Sequence, residues 1–237
     1  MNRGRSGRLH VIGDDEPPAP QAMQRAGGGG DEPAAAIEMQ ATGAGAGPVE
    51  IRPLTLDLVE GLRRVNNEGF GSKYCCLCCP VADTDGSIAQ FYAQHPERLP
   101  LCGLAVDGAG APLGFVQLAI HPLHDKDGLH STKPGETYIE QVGVAAVARG
   151  QGIGRRLLQW AEAQARARDC TTLTLAVLNG NPARRLYERI GFRAKPTDEC
   201  GQCIGAGCVF CLVGRPYGAC APGWGATDMV KVLEPSK

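Results

Sequence analysis

From residue 48 onward the apolar positions fall into short runs with one of two periods. Val49 and Ile51 alternate with Glu50 and Arg52, as in a strand. Leu58, Leu62 and Val65 are spaced for a helix within 54–70, and 88–99 predicts a second helix. Residues 101–106 and 113–120 read as strands joined by the turn Asp107-Gly108-Ala109-Gly110. A polar stretch, 122–136, precedes the alternating, β-branched run 137–144. The period then changes: Ile153, Leu157, Leu158, Trp160 and Ala161 fall at helical spacing, with Arg155, Arg156, Glu162 and Gln164 on the polar side. Residues 171–178 return to strand character. Asn181 fits an N-cap with Pro182 at the first helical position, and Gly191 fits a left-handed stop. Residues 192–194 and 229–233 then predict two strands that pair with each other.

Between the 137–144 strand and the following helix lies Arg149-Gly150-Gln151-Gly152-Ile153-Gly154. A helix start carries unpaired N–H groups and partial positive charge, which suits a phosphate. Gly150, Gly152 and Gly154 lack Cβ atoms and let an anion approach the backbone, while Arg149 adds a cation at the rim. A Walker loop is excluded because no lysine follows. A dinucleotide fingerprint is excluded because arginine stands at 155 and leucine at 157. A glycine-rich turn without a ligand is the plain alternative.

Two motifs resemble the GCN5-related N-acetyltransferase (GNAT) superfamily. Its acyl-CoA motif, Arg/Gln-x-x-Gly-x-Gly/Ala at a strand-to-helix junction, is matched by Arg149, Gly152 and Gly154. Residues 181–192, Asn-Pro-Ala-Arg-Arg-Leu-Tyr-Glu-Arg-Ile-Gly-Phe, resemble the family's late helix, which ends Leu-Tyr-x-x-x-Gly-Phe. The resemblance covers roughly 49–233. It implies an α/β (α+β) fold, a mixed, mostly antiparallel sheet splayed at its central strands and flanked by helices. It also implies an acetyl-CoA-dependent N-acetyltransferase acting on an amine by direct attack in a ternary complex. In that reading Arg149, Gly150, Gln151, Gly152, Ile153 and Gly154 grip the diphosphate. The pantetheine runs along Val142, Gly143 and Val144, with the Val142 N–H facing the thioester oxygen. Asn181 is a further cofactor-binding candidate, although an N-cap role explains it equally. Tyr187 is the candidate acid for the leaving thiolate, against a packing role. Glu140 is the candidate base, and strand period two places it on one face with Val142. Tyr138 shares that face. One departure is the link Ala145-Ala146-Val147-Ala148, where family members often carry a proline.

Composition narrows the partners. The 237 residues carry a formal net charge of −1, which argues against a protein built to grip nucleic acid. No apolar run reaches the roughly 20 residues of a membrane span, and the N-terminus lacks a signal-peptide core, so a cytoplasmic location is expected. Residues 1–47 are dominated by Gly, Ala, Pro and acids and read as a disordered tail ahead of the 48–237 domain. Arg3, Arg5 and Arg8 suggest an organellar leader, but Asp14, Asp15 and Glu16 oppose it. Eleven cysteines include two clusters in loops at 74–80 and 200–220: Cys75, Cys76, Cys78 and Cys79, and then Cys200, Cys203, Cys208 and Cys211. Structural zinc, S-acylation with membrane contact, and disulfides or free thiols all stay open. The four-residue gap in the second cluster is too short for a zinc ribbon. The expectation is a lid formed by the two clusters over the acceptor groove. His121, His124 and His130 are irregularly spaced and read as solvated. The acceptor amine, small molecule or protein, is not legible. A GNAT-like module that binds acyl-CoA without catalysis, or an adaptor using the cysteine-rich lid, is the rival reading.

Overall fold

The computed structural model describes residues 48–70, 74–75, 79–80, 86–123, 130–196 and 226–234. Strand β1 (Glu50–Pro53) leads through a 3-10 turn at Leu56–Leu58 into helix α1 (Val59–Phe70). The short strands β2 (Tyr74–Cys75) and β3 (Cys79–Pro80) pair with each other ahead of helix α2 (Ser87–Gln94). The 88–99 stretch is not one helix. Proline lacks an N–H and disfavours helical geometry in its predecessor, so α2 ends before Pro96 and a 3-10 turn spans Pro96–Leu101. Strands β4 (Cys102–Val106) and β5 (Pro112–Ile120) form the expected hairpin. The Asp107 carboxylate closes its turn by accepting the N–H groups of Ala109 and Ala111. Strand β6 (Glu136–Val144), helix α3 (Ile153–Arg166), strand β7 (Thr172–Leu178), helix α4 (Arg184–Arg189) and strands β8 (Arg193–Ala194) and β9 (Ala226–Val232) complete the order.

The larger sheet runs β1-β4-β5-β6-β7-β9-β8, so β9 inserts between β7 and its expected partner β8. Every neighbouring pair is antiparallel except β6 and β7. That parallel pairing joins Glu136–Ile139 to Thr172–Leu175 and stops there, although both strands continue. The sheet therefore opens into a V between the C-terminal ends of β6 and β7.

Helix α3 closes one face of the sheet with a stripe of Ile153, Leu157, Leu158, Ala161 and Ala165, all buried. Each such leucine stabilises the fold by about 1.5–3 kcal/mol. The fit is tight: a Cβ on Gly103 of β4 would stand 2.6 Å from the Trp160 ring. The other face meets α2, where the Tyr92 hydroxyl donates to Gln117 Oε1 of β5 at 2.6 Å. Among the described residues no helix is long and apolar enough to cross a membrane.

Candidate active site

The V sets the site. Ala145 N–H donates to Leu113 O at 2.8 Å, so the pair Ala145–Leu113 is hydrogen-bonded across β6 and β5. Antiparallel pairs alternate between bonded and unbonded, so Val144 opposite Gly114 and Val142 opposite Val116 are the unbonded ones. Their N–H and C=O groups turn away from β5 and into the opening. Both residues lie beyond Ile139, the last β6 residue paired to β7. An unpaired strand edge thus lines the V.

At the open end the chain turns through a 3-10 turn, Ala146–Ala148, closed by Ala148 N–H on Ala145 O at 2.9 Å. It does so without the family's proline. Gly150 and Gly152 then take φ of +75° and +77°, a left-handed conformation that side chains resist. The first intrahelical bond runs from Arg156 N–H to Gly152 O, leaving Ile153, Gly154 and Arg155 N–H without intrahelical acceptors. These donors open onto a cavity of about 470 Å³ between the starts of α3 and α4. Its walls include Val144, Gly150, Gly152, Gly154, Ala183 and Leu186. Gly154 is set for proximity: an added Cβ would stand 3.3 Å from Leu186. Arg149 is half-buried, and its Nε reaches Val144 O at 3.4 Å. Gln151 is exposed and braces the turn through Val147 O.

Asn181 caps the turn into α4, as its place before Pro182 predicts. Its Oδ1 accepts Ala183 N–H at 2.9 Å. The side chain is buried, and Nδ2 has no hydrogen-bond partner among the described residues. A buried donor without an acceptor costs about 1–3 kcal/mol. Together with the helix-start N–H groups, this orphan fits a ligand carrying both phosphates and amide carbonyls. Tyr187, by contrast, is 1% exposed and meets Phe192 edge-on at 5.9 Å.

Glu140 departs from its expected place. Gln117 opposes Gln141 and Leu118 opposes Ile139, so Glu140 is an extra residue in a β-bulge. The bulge breaks period two. Val142 and Val144 face α3, because a Cβ on Gly114 opposite Val144 would meet Leu157 and Ile153. Glu140 instead reaches the α2 side, where its Oε2 lies 2.5 Å from Arg98 Nη1. Arg98 is 2% exposed and its guanidinium covers the Phe91 ring at 5.4 Å.

Nearby, His130 is not merely solvated. Its ring stacks on Tyr138 at 4.3 Å, and Nε2 lies 3.0 Å from Glu136 Oε1. Thr174 Oγ1 also donates to Glu136 Oε1, at 2.5 Å, and Lys133 N–H donates to Oε2 at 3.0 Å. Burial pushes the Glu136 carboxyl up. The bonds from His130, Thr174 and Lys133 outweigh it and bring the pKa down to about 2. Burial, followed by the Asp228 and Glu140 carboxylates, raises Tyr138 and keeps it a phenol. Cys102, buried beside Tyr92, is pushed up to about 12, chiefly by desolvation. His121 approaches Thr132 O at 3.2 Å. His124 lies outside the described residues, as do Cys76, Cys78, Cys200, Cys203, Cys208 and Cys211. Cys75 and Cys79 oppose each other across β2 and β3. Among the described residues no three His, Cys, Asp or Glu side chains converge to hold a metal. The expected cysteine lid therefore also falls outside the described residues.

Residues 73–192, about half of the chain, match the sequence profile of the Acetyltransferase (GNAT) family. The chain belongs to the GNAT family. A 95-residue stretch is 37% identical to N-alpha-acetyltransferase 40 of Saccharomyces cerevisiae, covering 37% of this chain and 33% of that relative. The chain thus spans about a third of that relative's length. Among solved structures, the ribosomal-protein-S18-alanine N-acetyltransferase of Escherichia coli is similar with a TM-score of 0.51 and 16% identity. That match covers 80% of this chain and 97% of the other. The PaiA N-acetyltransferase of Thermoplasma acidophilum, solved with coenzyme A, gives 0.51 and 17%, covering 78% and 99%. At these identities the structural likeness establishes the fold. The GNAT fold here has a seven-stranded, mostly antiparallel sheet flanked by helices.

Sequence reasoning passed over Arg155, Arg185 and Arg189, which line the same cavity as Arg149. Arg155 read only as a polar helix position, and Arg185 and Arg189 stood in the 181–192 motif without a role of their own.

Proposed function

We propose that this chain is an acetyl-CoA-dependent N-acetyltransferase that acts on an amine by direct attack. The observation that carries the reading is the opening in the sheet. An unpaired edge at Val142 and Val144 leads straight to the unbonded N–H groups at the start of α3. When bound, acetyl-CoA supplies an activated acyl group as a thioester. The residues around it have distinct tasks. Gly150, Gln151, Gly152, Ile153 and Gly154 present the backbone to the diphosphate, with Arg149 beside them. Val142, Gly143 and Val144 offer strand-type pairing to the pantetheine, and the Asn181 Nδ2 donor finds its acceptor there. The Val142 N–H polarises the thioester carbonyl.

On the other side of the V, Glu140 accepts the proton that the acceptor's ammonium must lose before attack, directly or through water. Arg98 holds that carboxylate in place. Tyr187 holds a proton for the departing thiolate. Its burial against Phe192 keeps the ring in one orientation. The identity with an N-alpha-acetyltransferase supports starting the acceptor search with peptide α-amines.

The test is thiol release from acetyl-CoA with a panel of α-amino peptides, lysine peptides and polyamines. Amine-dependent release, with acetylated product by mass spectrometry, is expected. Acetyl-CoA binding with no release across the panel would favour a non-catalytic acyl-CoA-binding module.

A further inference from the structure

A buried polar pair, Tyr92 of α2 and Gln117 of β5, lies on the α2 face of the sheet. Burying a hydroxyl and a primary amide is costly unless each finds a partner. Here the partners fix each other's direction. Strand β4 begins with Cys102 opposite Gln117, so Leu118 lies one residue beyond that ladder. The Gln117 amide supplies a donor there, with Nε2 reaching Leu118 O at 2.9 Å. A carbonyl can only accept, so the amide has one orientation. Its Oε1 is then left to accept the Tyr92 hydroxyl at 2.6 Å.

Tyr92 thereby anchors more than its own helix. His95 N–H donates to Phe91 O at 2.9 Å and Arg98 N–H to His95 O at 3.0 Å, so α2 and the 3-10 turn after it form one hydrogen-bonded unit. Phe91 meets Tyr92 edge-on at 5.3 Å and lies under the Arg98 guanidinium at 5.4 Å. Tyr92 ties this unit to β5, and Arg98 ties it to Glu140 of β6. The two landing points are neighbours. Gln117 opposes Gln141, and Glu140 is the bulged residue beside it, so anchor and target sit one strand apart, about 5 Å. Slack at Tyr92 is passed directly to the guanidinium. Resting on the reading of Glu140 as proton acceptor, we propose that Tyr92 and Gln117 are positioning residues for the transfer. They hold Arg98, and through it the Glu140 carboxylate, where the acceptor's ammonium loses its proton.

Steady-state kinetics test this, with acetyl-CoA and the amine of the panel above that releases thiol fastest. Tyr92→Phe and Gln117→Met are measured alone and combined with Glu140→Gln. Each alone should lower kcat about 10-fold, with KM for the amine within twofold. Glu140→Gln alone should lower kcat about 100-fold or more. In the Glu140→Gln background neither Tyr92→Phe nor Gln117→Met should cost anything further, because both act through the carboxylate. The two variants break one chain of contacts at different links, so either one, shown to be folded by circular dichroism, decides the matter. Wild-type kcat in either folded variant would overturn the proposal. So would an equal loss in both backgrounds, which marks a packing role alone. If Glu140→Gln turns over like wild type, or no amine is acetylated, the proton-acceptor reading itself falls, and this inference with it.

Discussion

The two faces of the central sheet treat charge in opposite ways. On the α2 side, Arg98 is buried against Phe91 and paired to Glu140, and Glu136 collects donors from His130, Thr174 and the Lys133 backbone. On the α3 side, four arginines line an open cavity with no carboxylate among its walls. A buried charge without a partner costs several kcal/mol, so folding alone demands the first arrangement. Solvent supports the second at modest cost, and only a ligand makes it useful. Paired charges therefore mark where the fold is held. Arginines with no carboxylate beside them, next to helix-start N–H groups that lack intrahelical acceptors, mark where an anion fits.

The largest effect is expected where pairing is tightest. Arg98→Ala leaves Glu140 without its buried guanidinium and should lower stability by about 3–5 kcal/mol in urea unfolding. A loss below about 1 kcal/mol would mean that water replaces the arginine and that the α2 side is no more dependent on pairing than the cavity. Next comes Gly152→Glu, which sets a carboxylate into the cavity at a left-handed position. Affinity for CoA should fall by about 100-fold or more. Undiminished affinity in a folded sample would move the diphosphate elsewhere.

Acid sharpens the contrast. The Glu136 pKa lies at about 2, below its ordinary value of 4.5. Its pairing therefore stabilises the fold above pH 4.5 and is lost as pH falls from there toward 2. The contribution is as much as about 3 kcal/mol. Glu136→Gln should flatten the stability profile across that window. A variant that loses stability there as steeply as wild type would assign the acid sensitivity to other groups. The smallest effect is kinetic. Tyr187→Phe should reduce turnover by about 100-fold while CoA affinity stays within twofold. Unchanged turnover would leave Tyr187 with its packing against Phe192 alone.

Local features were legible in the sequence where local chemistry decides them. The turn at 107–110 closes on Asp107, Asn181 caps, and Gly191 stops α4 at φ +102°. The strand-to-helix handover at 149–154 follows from a change of period flanked by glycines. The pairings of 101–106 with 113–120 and of 192–194 with 229–233 were legible, but other relations between strands were not. The bulge at Glu140 exists only in register with β5, and alternation along β6 alone cannot reveal it. The insertion of β9 between β7 and β8 depends on a connection of some thirty residues. His130 and Glu136 are six residues apart with no motif to join them, yet the turn into β6 brings them together. Pro96 was a signal in plain view, and its break in the 88–99 helix follows from proline's missing N–H.

The central claim is that backbone amides at the head of α3 hold the coenzyme's diphosphate. Amide chemical shifts in ¹⁵N-labelled protein, followed during titration with CoA, test it most directly. The resonances of Gly150, Gln151, Gly152, Ile153, Gly154 and Arg155 are predicted to move together and to saturate at one equivalent. If CoA shifts other amides while these six stay in place, the claim is contradicted.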